Sequence, residues 1–175
     1  MLPTTFKTLP LITILLLVNG CADYAVSVNS KTVYNPLKVF TEYHLDDINL
    51  QKCVDGIIAS EHLTAAEDLR RVQCGPDGIS QLRGLEIFSK ITHLGLADNK
   101  IASIGNLAKF KHLQQVNLSG NMVKDIAPLF DLQHLTYINL SGSNAIACDQ
   151  LAKLKQFHPE ATLVPPVVCD GKAAD

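Results

Sequence analysis

Along most of this chain the apolar residues return in step. From Leu69 the sequence divides into four stretches of 22 residues: LRRVQCGPDGISQLRGLEIFSK (69–90), ITHLGLADNKIASIGNLAKFKH (91–112), LQQVNLSGNMVKDIAPLFDLQH (113–134) and LTYINLSGSNAIACDQLAKLKQ (135–156). Stacked, they form apolar columns of Leu69, Ile91, Leu113 and Leu135, of Val72, Leu94, Val116 and Ile138, and of Cys74, Leu96, Leu118 and Leu140. Two further columns run through Ile79, Ile101 and Val123 and through Leu82, Ile104 and Ile126. A fixed period marks a repeat architecture, in which each unit buries its apolar face against the next. Apolar positions 4 and 6 of each unit alternate with outward positions 3, 5 and 7, which predicts a short strand, because successive strand side chains leave on opposite faces. Position 9 must turn the chain, and Asn99 and Asn121 stand there. An asparagine amide can satisfy backbone groups that a turn leaves without ladder partners. Asp77 and Ser143 take that place in the first and last units, and the pair Ser143–Asn144 predicts a slip of one residue where the array ends.

What flanks the repeats must close their apolar ends. The stretch LDDINLQKCVDGIIASEH (45–62) sets Leu50, Cys53, Val54, Ile57 and Ile58 on one face at helical spacing, so it predicts a capping helix. Residues 22–38 lack a sustained period and contain Asn35–Pro36, which predicts a tether; the tail PPVVCDGKAAD reads as irregular apart from Cys169. Phe88, Phe110 and Leu132 recur at the repeat period on the return segments and are read as core; Pro128 sits where no helix ladder is needed.

The pattern LxxLxLxxNxI with its LxxLxxF-like tail resembles the short leucine-rich repeats of bacterial surface proteins such as the internalins, over roughly residues 40–160. The resemblance implies an α/β fold: a right-handed solenoid with a short curved parallel sheet inside and 3₁₀ or helical turns on the convex side. It divides the chain into a helical N-terminal cap at 40–68, four repeats at 69–156, and a C-terminal cap and tail at 157–175. The start NLQKCV and the following LTAAEDL resemble the internalin-type cap. Four cysteines besides Cys21 allow three pairings. With Cys53 on the cap helix and Cys74 inward on the first strand, a Cys53–Cys74 bridge would fasten cap to solenoid, and Cys148–Cys169 would do the same at the far end.

The first residues change the expected address. Lys7 is the only charged side chain before an apolar run at Leu11–Val18, too short for a bilayer core but suited to a secretion signal over residues 1–20. VNGC (18–21) resembles the lipobox of bacterial lipoproteins, which implies a lipidated Cys21, a tether at 21–39 and a membrane anchor. Asn19 departs from the usual residue there and leaves ordinary secretion with cleavage nearby as the alternative. Ala22, not aspartate, after the cysteine favours the outer membrane of the bacterial envelope, facing periplasm or exterior. Without residues 1–20 the chain carries 14 basic and 17 acidic residues, a formal charge of −3, which argues against a nucleic-acid partner.

On such a scaffold the concave strand positions are free to carry recognition. The candidates are Arg71, His93, Gln115 and Tyr137 at position 3 and Gln73, Asn117 and Asn139 at position 5, with Arg71 and Tyr137 foremost because arginine and tyrosine dominate binding hot spots. The expected partner is a protein or envelope polymer, and the alternative is a structural lipoprotein that packs by its convex face or edge. His112 and His134 stack on adjacent units without a carboxylate or thiolate in their column, so no metal is expected. Ser119, Ser141 and His93, with only Asp98 to orient the histidine, make a poor triad, so neither an enzyme nor a cofactor is expected. Lys109, Lys111, Lys153 and Lys155 read as a solvated convex face.

Overall fold

The computed structural model describes residues 26–28, 31–34 and 38–169, and the chain divides into two units, Met1–Pro36 and Leu37–Asp175. The expected signal at 1–20 and the lipidation site Cys21 lie outside the described residues. In the first unit, β1 (Val26–Val28) and β2 (Lys31–Tyr34) pair antiparallel. The pair lies within the segment read from the sequence as a tether, where no strand was expected. The physical reason is local: VSV and KTVY are rich in β-branched and aromatic residues.

The second unit begins with the cap. Helix α1 (Ile48–Glu61) buries Leu50, Val54 and Ile58, with Cys53 and Ile57 half-buried beside them. Asp47 starts it: Oδ1 accepts the backbone N–H groups of Asn49 and Leu50, which have no partner within the first turn of a helix. Its other oxygen, Oδ2, accepts from the backbone N–H and hydroxyl of Ser80 and the N–H of Gln81, so one carboxylate ties the cap to the first repeat. Burial works to raise the Asp47 pKa, but these hydrogen bonds outweigh it and hold the carboxyl below its ordinary value. Phe40 and Tyr43 stack at 5.6 Å and set their edges against buried Phe88, closing the apolar end of the coil.

The repeats then follow in register. Strands β3 (Arg71–Gln73), β4 (His93–Gly95), β5 (Gln115–Asn117) and β6 (Tyr137–Asn139) pair parallel, each residue opposite the one 22 positions on. Val72, Leu94, Val116 and Ile138 point into the core, as do Cys74, Leu96, Leu118 and Leu140. The return segments form 3₁₀ turns at Leu85–Ile87, Gly105–Lys109 and Ala127–Leu129, each burying one leucine, with Phe88, Phe110 and Leu132 fully buried behind them.

The asparagines at position 9 hold adjacent coils together. The Asn99 amide donates to the carbonyls of Cys74, Leu96 and Ala97, and its Oδ1 accepts from the N–H groups of Ile79 and Asp77. Asn121 repeats this one coil later, donating to Leu96, Leu118 and Ser119 and accepting from Ile101. Both asparagines are buried and every amide oxygen or nitrogen has partners, which is what makes a buried polar group tolerable. Ser143 occupies the same place in register, its hydroxyl donating to the Asn121 carbonyl, and the expected slip of one residue falls just after it: Ala145, 22 positions beyond Val123, is exposed and Ile146 is buried instead.

The sheet has five strands rather than four. β7 (Thr162–Val164) adds parallel to β6, with Tyr137 opposite Thr162, so the C-terminal cap contributes a strand that the sequence reading did not assign. That last step takes 25 residues instead of 22 because its return segment is helix α2 (Cys148–Phe157), not a 3₁₀ turn. An α-helix rises about 1.5 Å per residue against about 2.0 Å for a 3₁₀ turn, so it uses more chain over the same distance. CDQLAKLKQF has neither glycine nor proline and buries Leu151 and Leu154 three residues apart, which favours the longer helix. Both expected disulfides are present, Cys53–Cys74 joining α1 to the first coil and Cys148–Cys169 joining α2 to the final 3₁₀ turn.

Candidate binding face

Positions 3 and 5 of each strand turn the same way, so β3–β6 lay two rows of side chains across the sheet in register. One row is Arg71, His93, Gln115 and Tyr137; the other is Gln73, Gly95, Asn117 and Asn139. Six of the seven candidate residues, Arg71, Gln73, His93, Gln115, Asn117 and Tyr137, line one shallow recess of about 500 Å³ together with Leu94 and Gly95. Asn139 lies beside Asn117 in the same row, outside that lining. From Arg71 to Tyr137 is three strand spacings, about 14 Å at 4.8 Å per spacing.

Gly95 is the one position of the two rows without a side chain, and Gln73 folds into that space and buries it: a Cβ built on Gly95 would run into the Gln73 amide. Sequence reasoning placed Gly95 in its column and passed over it. A glycine inside a strand between glutamine and asparagine was the available signal, since such a glycine marks a gap or a close approach.

Two of the amides have a fixed sense. Asn117 Oδ1 accepts the Ser119 backbone N–H at 3.1 Å, and Asn139 Oδ1 accepts the Ser141 N–H at 3.1 Å and its hydroxyl at 2.8 Å. Only an oxygen can meet a backbone N–H, so in both residues the NH₂ end points away from the strand turn. His93 is oriented similarly. Thr92 Oγ1 lies 2.8 Å from His93 Nδ1 and 3.1 Å from the Arg70 carbonyl, which fixes the ring's orientation on the strand.

The two rows contain no carboxylate. The ion pairs among the described residues are Arg83 with Asp46 and Lys109 with Glu86, so Arg71 is in neither. Glu86 also accepts from Asn106 and the Gly84 N–H; burial works to raise its pKa, but its hydrogen bonds and Lys109 hold it low. Lys109 thus reaches the neighbouring coil and Lys155 meets the carbonyls of Pro159 and Ala161, and all four lysines of the expected convex set are exposed. Ser141 donates to Asn139 rather than to a base, and Asp98 lies against Gly120, not beside the Nδ1 of His93. His112 Nε2 meets Lys90 Nζ at 3.2 Å, and among the described residues no three metal-ligating side chains converge.

Residues 89–130 match the family model of leucine-rich repeats, in two copies. The fold is a leucine-rich-repeat solenoid. This solenoid is similar to the crystal structure of an internalin, inlF, of Listeria monocytogenes, at 17% identity and a TM-score of 0.51 over 69% of the chain and 43% of that structure. It is equally similar to internalin C2 of the same organism, at 14% identity and a TM-score of 0.51 over 69% of the chain and 64% of that structure. At these identities the likeness is one of fold, and the chain spans less than two thirds of either. No curated protein matches the sequence. No helix among the described residues is long and apolar enough to cross a membrane.

Proposed function

We propose that this leucine-rich-repeat protein is a noncovalent recognition module, lipid-anchored through Cys21 to a bacterial envelope membrane, and that it binds a protein partner through the concave face. The observation that carries the reading is the recess on the concave face, which six outward side chains from four coils line together. The anchor rests on the VNGC sequence, and several acyl chains on one cysteine would hold the protein firmly where it acts. Replacing Cys21 by serine should release the protein from the membrane fraction.

A photocrosslinker at Gln115 tests the face. It should capture a partner in intact cells, and Arg71→Ala with Tyr137→Ala should abolish the capture. The rival is a structural role through the edge, favoured by Val167 and Val168, which stand 79% and 50% exposed beyond β7. Crosslinks from Val167 or Lys111 that survive the Arg71 and Tyr137 changes would replace the first reading with the second.

A further inference from the structure

We propose that the concave face takes an acidic polypeptide segment, its carboxylates received by Arg71 at one end and by the outward amide groups of Asn117 and Asn139 further along. This deepens the recognition reading and rests on it. Three independent observations converge.

The first is the sense of the amides. The backbone of Ser119 and Ser141 fixes the oxygens of Asn117 and Asn139 toward the sheet, so the face is offered NH₂ donors one strand spacing apart, and nothing among the described residues accepts from them. The second is Arg71, an exposed guanidinium outside both ion pairs and on a face without a carboxylate. Arg71 and the two outward NH₂ groups only donate, which suits a carboxylate, a group that only accepts. The third is the distribution of charge along the chain. Residues 69–156 carry ten Lys and Arg against six Asp and Glu, whereas residues 40–68 carry one lysine against seven acids. The overall charge of −2 therefore hides a basic solenoid beside an acidic cap, and a basic solenoid steers acidic partners toward itself.

Asparagine to aspartate tests this with little disturbance of the fold. Asn117→Asp keeps an oxygen for the Ser119 N–H and turns the outward donor into an anion; Asn139→Asp does the same for Ser141. The full chain is titrated into fluorescein-labelled deca-glutamate and followed by anisotropy, with labelled deca-lysine and a chitin oligosaccharide as comparisons. Deca-glutamate alone should bind, more weakly as salt rises, and Asn117→Asp, Asn139→Asp and Arg71→Gln should each weaken it at least tenfold with unchanged melting temperature. Failure of deca-glutamate to bind, or binding insensitive to all three changes, overturns the proposal, as does preferential binding of the sugar. The recognition reading fails separately: a partner captured from Gln115 and undisturbed by Asn117→Asp keeps the face as a docking surface while refuting its acidic ligand.

Discussion

Asn121 shows how much one side chain can settle in a coil of turns. Its amide meets three carbonyls and one N–H that no strand reaches. Leaving a buried backbone group unsatisfied costs about 1–3 kcal/mol, so Asn121→Ala should lose about 3 kcal/mol or more, read from urea unfolding. Two glycines separate conformation from space. Gly75 has φ of +132°, and a Cβ there would meet the Ala97 carbonyl oxygen and Asn99 Nδ2, both at 2.6 Å. Gly95 has an ordinary strand backbone, and its would-be neighbour is the end of flexible Gln73. Gly75→Ala should therefore destabilise by about 1–3 kcal/mol through strain and overpacking, while Gly95→Ala should cost under about 1 kcal/mol and shrink the recess, both checked by thermal melts and the second by crystallography. The asparagines were legible in the sequence because their role depends only on position in the repeat. The recess was not, because it depends on where Gln73 lies over a residue 22 positions away.

At the scale of elements, the cap helix is held by chemistry that acid removes. Asp47 and Glu86 both have folded-state pKa values below their ordinary ones. A depressed carboxylate contributes stability above its unfolded pKa, about 4, and that contribution is lost as pH falls through the lower folded value. The melting temperature should fall as pH drops below about 4, and Asp47→Asn should flatten that fall. The same change should cost about 1–2 kcal/mol at neutral pH, because the charged acceptor facing Ser80 and Gln81 is gone. Strands β3 to β6 and helix α1 could be read from the sequence, since apolar spacing alone sets them. Strand β7 could not: the 25-residue step breaks the period, and the strand is recognised only from the Thr162 N–H taking the Thr136 carbonyl as each earlier coil does. The β1–β2 hairpin was missed for a similar reason, being too short for a period to show.

At the largest scale, the unit Leu37–Asp175 is a stack with two vulnerable ends, and the disulfides sit at those ends. Each joins cysteines 21 residues apart, closing a loop whose entropy is worth about 3 kcal/mol. Cys148→Ser with Cys169→Ser should lower stability by about that amount, and hydrogen exchange should show the loss first in β7 and α2, with β4 and β5 protected longest. The pairing was expected because one cysteine of each pair sits in a terminal repeat and the other in the flanking cap or tail, whereas the split between acidic cap and basic coils appears only when charge is counted by segment.

Each asparagine of the ladder finds partners on the coil before it: Asn99 reaches Cys74 and Ile79, and Asn121 reaches Leu96 and Ile101. A coil thus brings its own fastening to whatever precedes it. A tandem duplication of residues 91–112 would arrive with its adhesive already attached, widening the protein's grasp by one strand, about 4.8 Å, without redesign of either end.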